Sequence, residues 1–185
     1  MLNSSSESIN CDDLVAENAY AIRQLTDFLA VLPGQVYRQT FGAKKQHVIG
    51  KHVRHIIDHY MALLRTVDEQ SPGSLDYENR QREEPLELDK HAACNRLLAI
   101  ASSLGQLMAA RHRTSVLMRH VSDDHDRLVS TSIDRELVFL ASHTVHHMAI
   151  IAMLAEQEGV EVSEEFGVHP STLRHLQKLN MAKSA

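Results

Sequence analysis

Tryptophan is absent from this 185-residue chain, and glycine, proline and cysteine are scarce, at 7, 4 and 2 residues. Because glycine and proline interrupt regular structure, their scarcity favours long helices. The two cysteines, Cys11 and Cys94, stand too far apart in the sequence to suggest a disulfide framework. We expect both to be reduced thiols of a cytoplasmic protein, with Cys94 a small buried side chain. The net charge of -5 gives no sign of a basic face, so no nucleic-acid partner is predicted.

The domain organisation is predicted to be simple, because the length suits one domain with its own hydrophobic core. Residues 1–10 are polar and rich in serine, and they lack the basic and apolar regions of a signal peptide. We interpret them as a flexible tail. Residues 11–185 are then expected to form a single domain.

Apolar residues spaced by three and four predict four helices, over residues 12–31, 46–67, 89–110 and 132–158. Gly159 follows the last helix and is suited to end it. The long polar stretch over residues 72–88 is predicted to be a crossover that packs along the helices. Residues 115–131 have the alternation and the central turn of a short β-hairpin. The predicted fold is therefore all-α, an antiparallel four-helix bundle with a long crossover and a short hairpin.

The fourth predicted helix is unusually apolar, since residues 137–155 carry no charge when histidine is neutral. This length permits a transmembrane span. However, His143, His146 and His147 stand at its centre, where polar groups are costly in lipid, and no second span exists. We therefore predict a core helix of a soluble bundle and no membrane partner.

Histidine is abundant, at 13 residues, and one pair in the fourth helix has metal-ligand spacing. His143 and His147 stand one turn apart, which places them about 40° apart around the helix. Both are expected to point toward the core, where two neutral imidazoles can bind one divalent ion. The alternative is a pair of core histidines that hydrogen-bond to carbonyls or water.

The second predicted helix offers a third ligand, because His52, His55 and His59 lie on one side of it. His52 and His59 flank the apolar stripe, whereas His55 lies further toward the polar side. A ligand that lines an open cavity is compatible with either position. The spacing therefore predicts a three-histidine metal site and leaves open which of these residues completes it.

Two segments carry a resemblance to a known family: Val48-Ile-Gly-Lys-His-Val-Arg-His-Ile-Ile-Asp58 and His143-Thr-Val-His-His147. They resemble the DinB/YfiT-like family of metal-binding four-helix bundles, and the order of the four predicted helices matches as well. In that family a segment (V/I)-G-x-x-x-x-H-(L/I)-x-D supplies one ligand and a later HxxxH supplies two. The resemblance therefore implies His55, His143 and His147 as the metal ligands. His52 stands where many relatives carry an apolar residue.

Three neutral histidines would leave one coordination position open, as in catalytic metal sites. Imidazole ligands suit Zn, Ni, Fe and Mn alike. The resemblance implies a thiol-dependent transferase, which uses a low-molecular-weight thiol, or a metal-assisted hydrolase. It also implies a small-molecule substrate and a homodimer. The alternative function is a non-catalytic metal-binding or stress-associated protein that works through interaction.

Several other polar residues are candidates for the site. Asp58 is suited to orient a ligand imidazole, or it is a solvated residue on the helix face. Tyr77, Arg80 and Arg82 could hold a carboxylate substrate, although a solvated loop is the preferred interpretation. Glu136 is either a base near the metal or, as we prefer, a charge in the first turn of its helix.

Overall fold

The computed structural model describes residues 11–68, 74–79, 83–107, 115–122 and 125–183. In these ranges the chain is mostly helical, as predicted, and it also forms two small sheets. The described helices are α1 (Cys11–Val31), α2 (Gly34–Arg38), α3 (Ile49–Asp68), α4 (Pro85–Leu88), α5 (Lys90–Leu107), α6 (Ile133–Glu156) and α7 (Pro170–Lys183). The described strands are β1 (Thr40–Phe41), β2 (His47–Val48), β3 (Ser74–Asp76), β4 (Ser115–Ser122) and β5 (His125–Ser132).

The long helices α1, α3, α5 and α6 correspond to the four that the apolar spacing predicts. Helices α1 and α3 each pack against both α5 and α6. Their apolar stripes meet in one core, because burying these stripes is the main force that holds such helices together. Fully buried members come from each of the four helices, and they include Leu25, Leu29, Ile56, Leu63, Leu97, Leu104, Leu137 and Leu140.

A buried polar network joins three of these helices. The Tyr60 hydroxyl of α3 donates a hydrogen bond to the Asn18 side-chain oxygen of α1 at 2.7 Å and accepts one from Thr144 of α6 at 3.1 Å. The Asn18 amide nitrogen donates to the carbonyl oxygens of Leu14 and Leu137. Burial raises the pKa of Tyr60, so its hydroxyl stays protonated as a donor. Because every partner is satisfied, the network fixes the register of the three helices.

The ends of α6 follow the local sequence closely. Ser132 precedes the helix, and its side chain accepts a hydrogen bond from the Arg135 backbone N–H. Gly159 follows the helix with a φ of 72°, a left-handed conformation that favours glycine, and the Val160 N–H bonds to the Ala155 carbonyl. The predicted role of Gly159 at the end of this helix is therefore confirmed.

Helix α6 is also long and apolar enough to cross a membrane, by length and composition alone. It packs against α1 and α3, and Leu137, Leu140, Met148 and Ile151 on it are fully buried. Core helices pass the same test of length and composition. The packing therefore supports the interpretation of α6 as a core helix.

The polar connection between α3 and α5 contains a strand that the sequence did not predict. Strand β3 pairs in parallel with β4, and β4 pairs antiparallel with β5, which gives a three-stranded sheet in the order β3-β4-β5. The predicted hairpin is thus confirmed, with eight residues in each strand. Arg119 on β4 forms ion pairs with Asp76 on β3 and Asp126 on β5, which ties the three strands together.

A close approach between helices places the start of α3. A Cβ atom at Gly50 would lie 2.1 Å from the backbone carbonyl oxygen of Glu87, at the C-terminal part of α4. A side chain at position 50 would therefore separate α4 from α3. This contact therefore requires the glycine of the Val48-Ile-Gly segment. The close packing of α4 fixes the first turn of α3, which precedes the histidines on that helix.

Candidate metal centre

Histidines from α3 and α6 converge where the two helices pack together. The ring centroid of His55 on α3 lies 5.0 Å from that of His143 and 4.6 Å from that of His147, both on α6. His143 and His147 are themselves 4.6 Å apart. The three residues that the resemblance implies as ligands are therefore neighbours, and their role as a ligand set stays a prediction.

A second, overlapping group contains His55, His59 and His143. One ligand nitrogen from each lies within 4.8 Å of the other two, which is close enough for all three to reach one ion. His59 is buried, and the other two are half-buried. His55 and His143 therefore belong to both groups. The third member is His147 in the set that the resemblance implies, and His59 in the set that the geometry brings together.

The orientation of His59 is fixed through its Nδ1 atom. Nδ1 lies 2.8 Å from the His55 backbone carbonyl oxygen, and because a carbonyl only accepts, Nδ1 carries the proton and donates. Nε2 of a neutral His59 is then the nitrogen with a lone pair. Fixing the second nitrogen in this way is how proteins prepare a histidine as a metal ligand.

His147 is held in a comparable way by a neighbour on α3. Its Nδ1 lies 3.0 Å from Nδ1 of His52, so one of the two rings donates a hydrogen bond to the other. When His147 is the donor, its Nε2 keeps a lone pair for a metal. Burial, followed by repulsion from His143 and His52, lowers the pKa of His147 to about 3. Burial and then His47 and His146 lower the pKa of His52 as well, so both rings are neutral at physiological pH, as metal binding requires.

An aromatic and acidic layer lies behind the histidines. The Tyr77 ring stacks on His59 with centroids 5.1 Å apart, and the Tyr77 hydroxyl donates a hydrogen bond to Glu136 at 2.8 Å. Glu136 is fully buried in the first turn of α6, where it also accepts from Thr131 and Arg135. Burial, and then the Glu136 charge, raise the pKa of Tyr77, so the hydroxyl remains a donor.

These contacts test two interpretations made from the sequence. The placement of Glu136 as a charge in the first helical turn is confirmed, and the structure adds that it anchors Tyr77. The interpretation of Tyr77 as part of a solvated loop is wrong, because its ring packs against His59 and Phe139. Arg80 and Arg82 lie outside the described residues.

Asp58 is buried, so the interpretation of a solvated helix-face residue is wrong. Its carboxylate forms an ion pair with Arg54, one turn earlier on α3, at 2.5 Å. The same guanidinium reaches Glu87 at 2.6 Å. Arg54 thereby joins α3, the helix that carries His55 and His59, to the short helix α4.

A cavity of about 250 Å³ opens beside the histidines. Strand β2 supplies part of its wall, and the sequence did not predict the β1–β2 pair because each strand has two residues. The lining is mostly polar and includes four histidines, namely Gln46, His47, Val48, Lys51, His52, Arg54, His55 and His147. A small molecule in this cavity would lie directly against two of the candidate ligands.

Cys94 lies on α5, a helix that supplies none of the clustered histidines. It is a free, half-buried thiol packed against the core, and burial raises its pKa. A raised pKa disfavours the reactive thiolate, in agreement with the interpretation of Cys94 as a small packing residue.

The fold and the histidine cluster together define a helical protein with a group of residues able to hold a metal ion. The sequence profile of the DinB family matches residues 1–165, and the chain belongs to this family. A stretch of 107 residues is 32% identical to "FK506-binding protein 5" of Rhizopus delemar. The matched stretch covers 56% of this chain and 28% of that protein. The chain thus spans about a quarter of the length of this curated relative. No solved structure matches the chain significantly.

Proposed function

We propose that this protein is a metal-dependent enzyme in which His55, His143 and His147 hold a divalent ion. The observation that supports the proposal is the convergence of these rings beside a cavity of about 250 Å³. His55 and His147 belong to the histidine cluster and also line the cavity, so a bound substrate would contact the ligands themselves. Membership of the DinB family supports the same proposal.

The reaction we propose is thiol-dependent transfer to a small molecule, or hydrolysis of one. A bound Zn, Ni, Fe or Mn ion would lower the pKa of a water molecule or a thiol at its open position. The chain itself orients the ligands, since His52 bonds to the His147 ring. Lys51 adds positive charge to the cavity wall, which favours an anionic group such as that of a low-molecular-weight thiol, whereas the Arg54 guanidinium is already paired with Asp58 and Glu87.

The proposal is tested by activity after metal reconstitution. Metal-free protein would be loaded separately with Zn, Ni, Fe and Mn and assayed for conjugation of cellular thiols to electrophiles and for ester and amide hydrolysis. We expect turnover with at least one metal and its loss in His55→Ala. His146→Ala, which removes an exposed histidine of the same helix, serves as the control. Metal binding without turnover in either assay would favour the non-catalytic alternative.

We further propose that α1, α3, α5 and α6 form an antiparallel four-helix bundle, and that the protein is a cytoplasmic homodimer. The mutual packing of these helices supports the bundle. Exposed apolar side chains on α6 and α7, among them Val138, Met153, Leu176 and Leu179, are available to a second copy. Light scattering after gel filtration distinguishes a dimer from a monomer of 20.8 kDa.

A further inference from the structure

We propose that His59 is a fourth imidazole ligand of the same ion, so that the centre is built from four histidines. The inference rests on the proposed metal function and deepens it, because a fourth ligand decides which metals leave a position open for chemistry. Neither the spacing in the sequence nor the family resemblance selects His59, and it is the arrangement of the rings that does so.

The four rings form a closed circuit. Neighbouring centroids are separated by 4.4 Å for His55–His59, 4.3 Å for His59–His143, 4.6 Å for His143–His147 and 4.6 Å for His147–His55. Two imidazoles that bind one ion about 90° apart have centroids about 4.5 Å apart, against about 5.2 Å at the tetrahedral angle. The four neighbouring separations match the smaller value, and the 5.0 Å between His55 and His143 across the circuit lies nearer the larger one. His59 therefore fits one shared ion as well as the other three rings do.

His59 is also held rigidly in the orientation that a ligand needs. The His55 carbonyl takes the proton of Nδ1, which leaves Nε2 as the coordinating nitrogen of the neutral ring. Tyr77 stacks on one face of the ring, and Glu136 holds Tyr77 through its hydroxyl. Since a ligand that is already oriented loses little entropy on binding, this support strengthens metal affinity.

A fourth histidine has a consequence for metal selection. A tetrahedral ion such as zinc would have every position filled by protein, and it would resemble a structural site. Ions that accept five or six ligands, such as Ni, Fe and Mn, would still have one or two positions for a thiol, water or substrate. Four of the five ring separations lie near the value for 90°, which favours this second class. The centre is therefore expected to be active with Ni, Fe or Mn and to be inert with zinc.

X-ray absorption spectroscopy on the nickel-loaded full-length protein tests the proposal, because multiple scattering from imidazole rings counts the histidines bound to the metal. We expect four imidazoles in the wild type and three in His59→Phe, which keeps an aromatic ring against Tyr77 but removes both nitrogens. Nickel affinity should fall at least about tenfold, since losing even a supporting partner of a ligand costs 10–100-fold. His146→Phe is the control and should keep both four imidazoles and the wild-type affinity. His52→Phe removes the hydrogen-bond partner of His147, so it should keep four imidazoles but bind nickel more weakly.

The outcomes separate this proposal from the one on which it rests. Nickel bound by three imidazoles in both the wild type and His59→Phe, with equal affinity, would overturn the fourth ligand and leave the three-histidine centre standing. A wild-type protein that binds no nickel would overturn both. If His59→Phe does not fold, the wild type and His52→Phe still decide, because four imidazoles in both support His59 and three in both exclude it.

Discussion

At the scale of single residues, the candidate ligands differ in how their second ring nitrogen is held. His59 donates to a backbone carbonyl, whereas His147 shares a hydrogen bond with another imidazole. The carbonyl fixes one tautomer of His59, but the shared bond lets either nitrogen of His147 carry the proton. His147 can therefore exchange its proton with His52 when a metal binds, and His59 needs no such rearrangement.

Removing the two α6 ligands together tests the site directly. In His143→Ala/His147→Ala we expect bound divalent metal, measured by elemental analysis after dialysis, to fall from about one ion per chain to a trace. Two imidazoles on α3 cannot replace ligands from the facing helix, because binding at one ion needs rings from both sides. Unchanged metal content in the double variant would refute the site, and His146→Ala provides the baseline.

The choice among the α3 histidines is tested by comparing two single variants. His55→Ala should reduce metal occupancy more than His52→Ala, because His55 belongs to both groups of close rings, whereas His52 contacts only His147 among the candidate ligands of the described structure. Occupancy would be measured by competition with a chromogenic chelator. The reverse order would mean that His52 is the α3 ligand.

The Tyr60 hydroxyl is predicted to contribute to stability. Tyr60→Phe leaves the buried Asn18 oxygen and the Thr144 hydroxyl without their shared partner, so the free energy of unfolding should fall by about 1–3 kcal/mol. Urea denaturation followed by circular dichroism measures the change. Tyr20→Phe removes an exposed hydroxyl on α1 and should have little effect; an equal loss in both variants would contradict the role of the network.

At the scale of elements, the long helices were predictable and the small elements were not. Apolar spacing predicts α1, α3, α5 and α6 because each buries a wide stripe, and Ser132 and Gly159 mark the ends of α6. Strand β3 has three residues, too few for a periodic signal, and it forms because β4 offers a free edge. Pairing with a distant strand is a tertiary event that local sequence does not encode.

The candidate site was predictable in the same uneven way. HxxxH on α6 and the Gly50-to-Asp58 segment on α3 identify the two helices and several of the histidines that meet. The position of His59 depends on how α3 is rotated about its axis relative to α6. It also depends on Tyr77, which directly follows the unpredicted strand β3 and stacks on the His59 ring. Helical spacing carries no information about that rotation.

Gly50 is predicted to be essential for docking α4 on α3. Gly50→Ala should lower the free energy of unfolding by about 1–3 kcal/mol, because the new Cβ would lie 2.1 Å from a backbone oxygen that cannot rotate away. Gly105→Ala is the matched control, since no atom lies within 4 Å of the added Cβ on α5. That change should stabilise the protein by about 0.5–1 kcal/mol. Chemical denaturation measures the free energy of unfolding of both variants. A change in the same direction for both would contradict the prediction.

At the scale of the whole molecule, the candidate ligands come from two helices that are distant in sequence. A metal ion bound between α3 and α6 therefore acts as a cross-link within the core, in addition to any chemistry. Both helices also meet at the Tyr60–Thr144 hydrogen bond, so the metal and the network hold the same interface at different points. Metal binding and folding should consequently be coupled.

This coupling predicts a metal-dependent thermal stability. A ligand that binds the folded state alone stabilises it by about 2.7 kcal/mol when its free concentration is a hundred times its dissociation constant. The melting temperature should therefore rise with added Ni or Mn and return to its starting value when a chelator removes the ion. The rise should shrink as pH falls below the usual range of histidine, because protons compete for the same nitrogens. At the same metal concentration His55→Ala should show a smaller rise while His146→Ala shows the full one, and a rise of equal size in both would place the stabilising ion elsewhere on the protein.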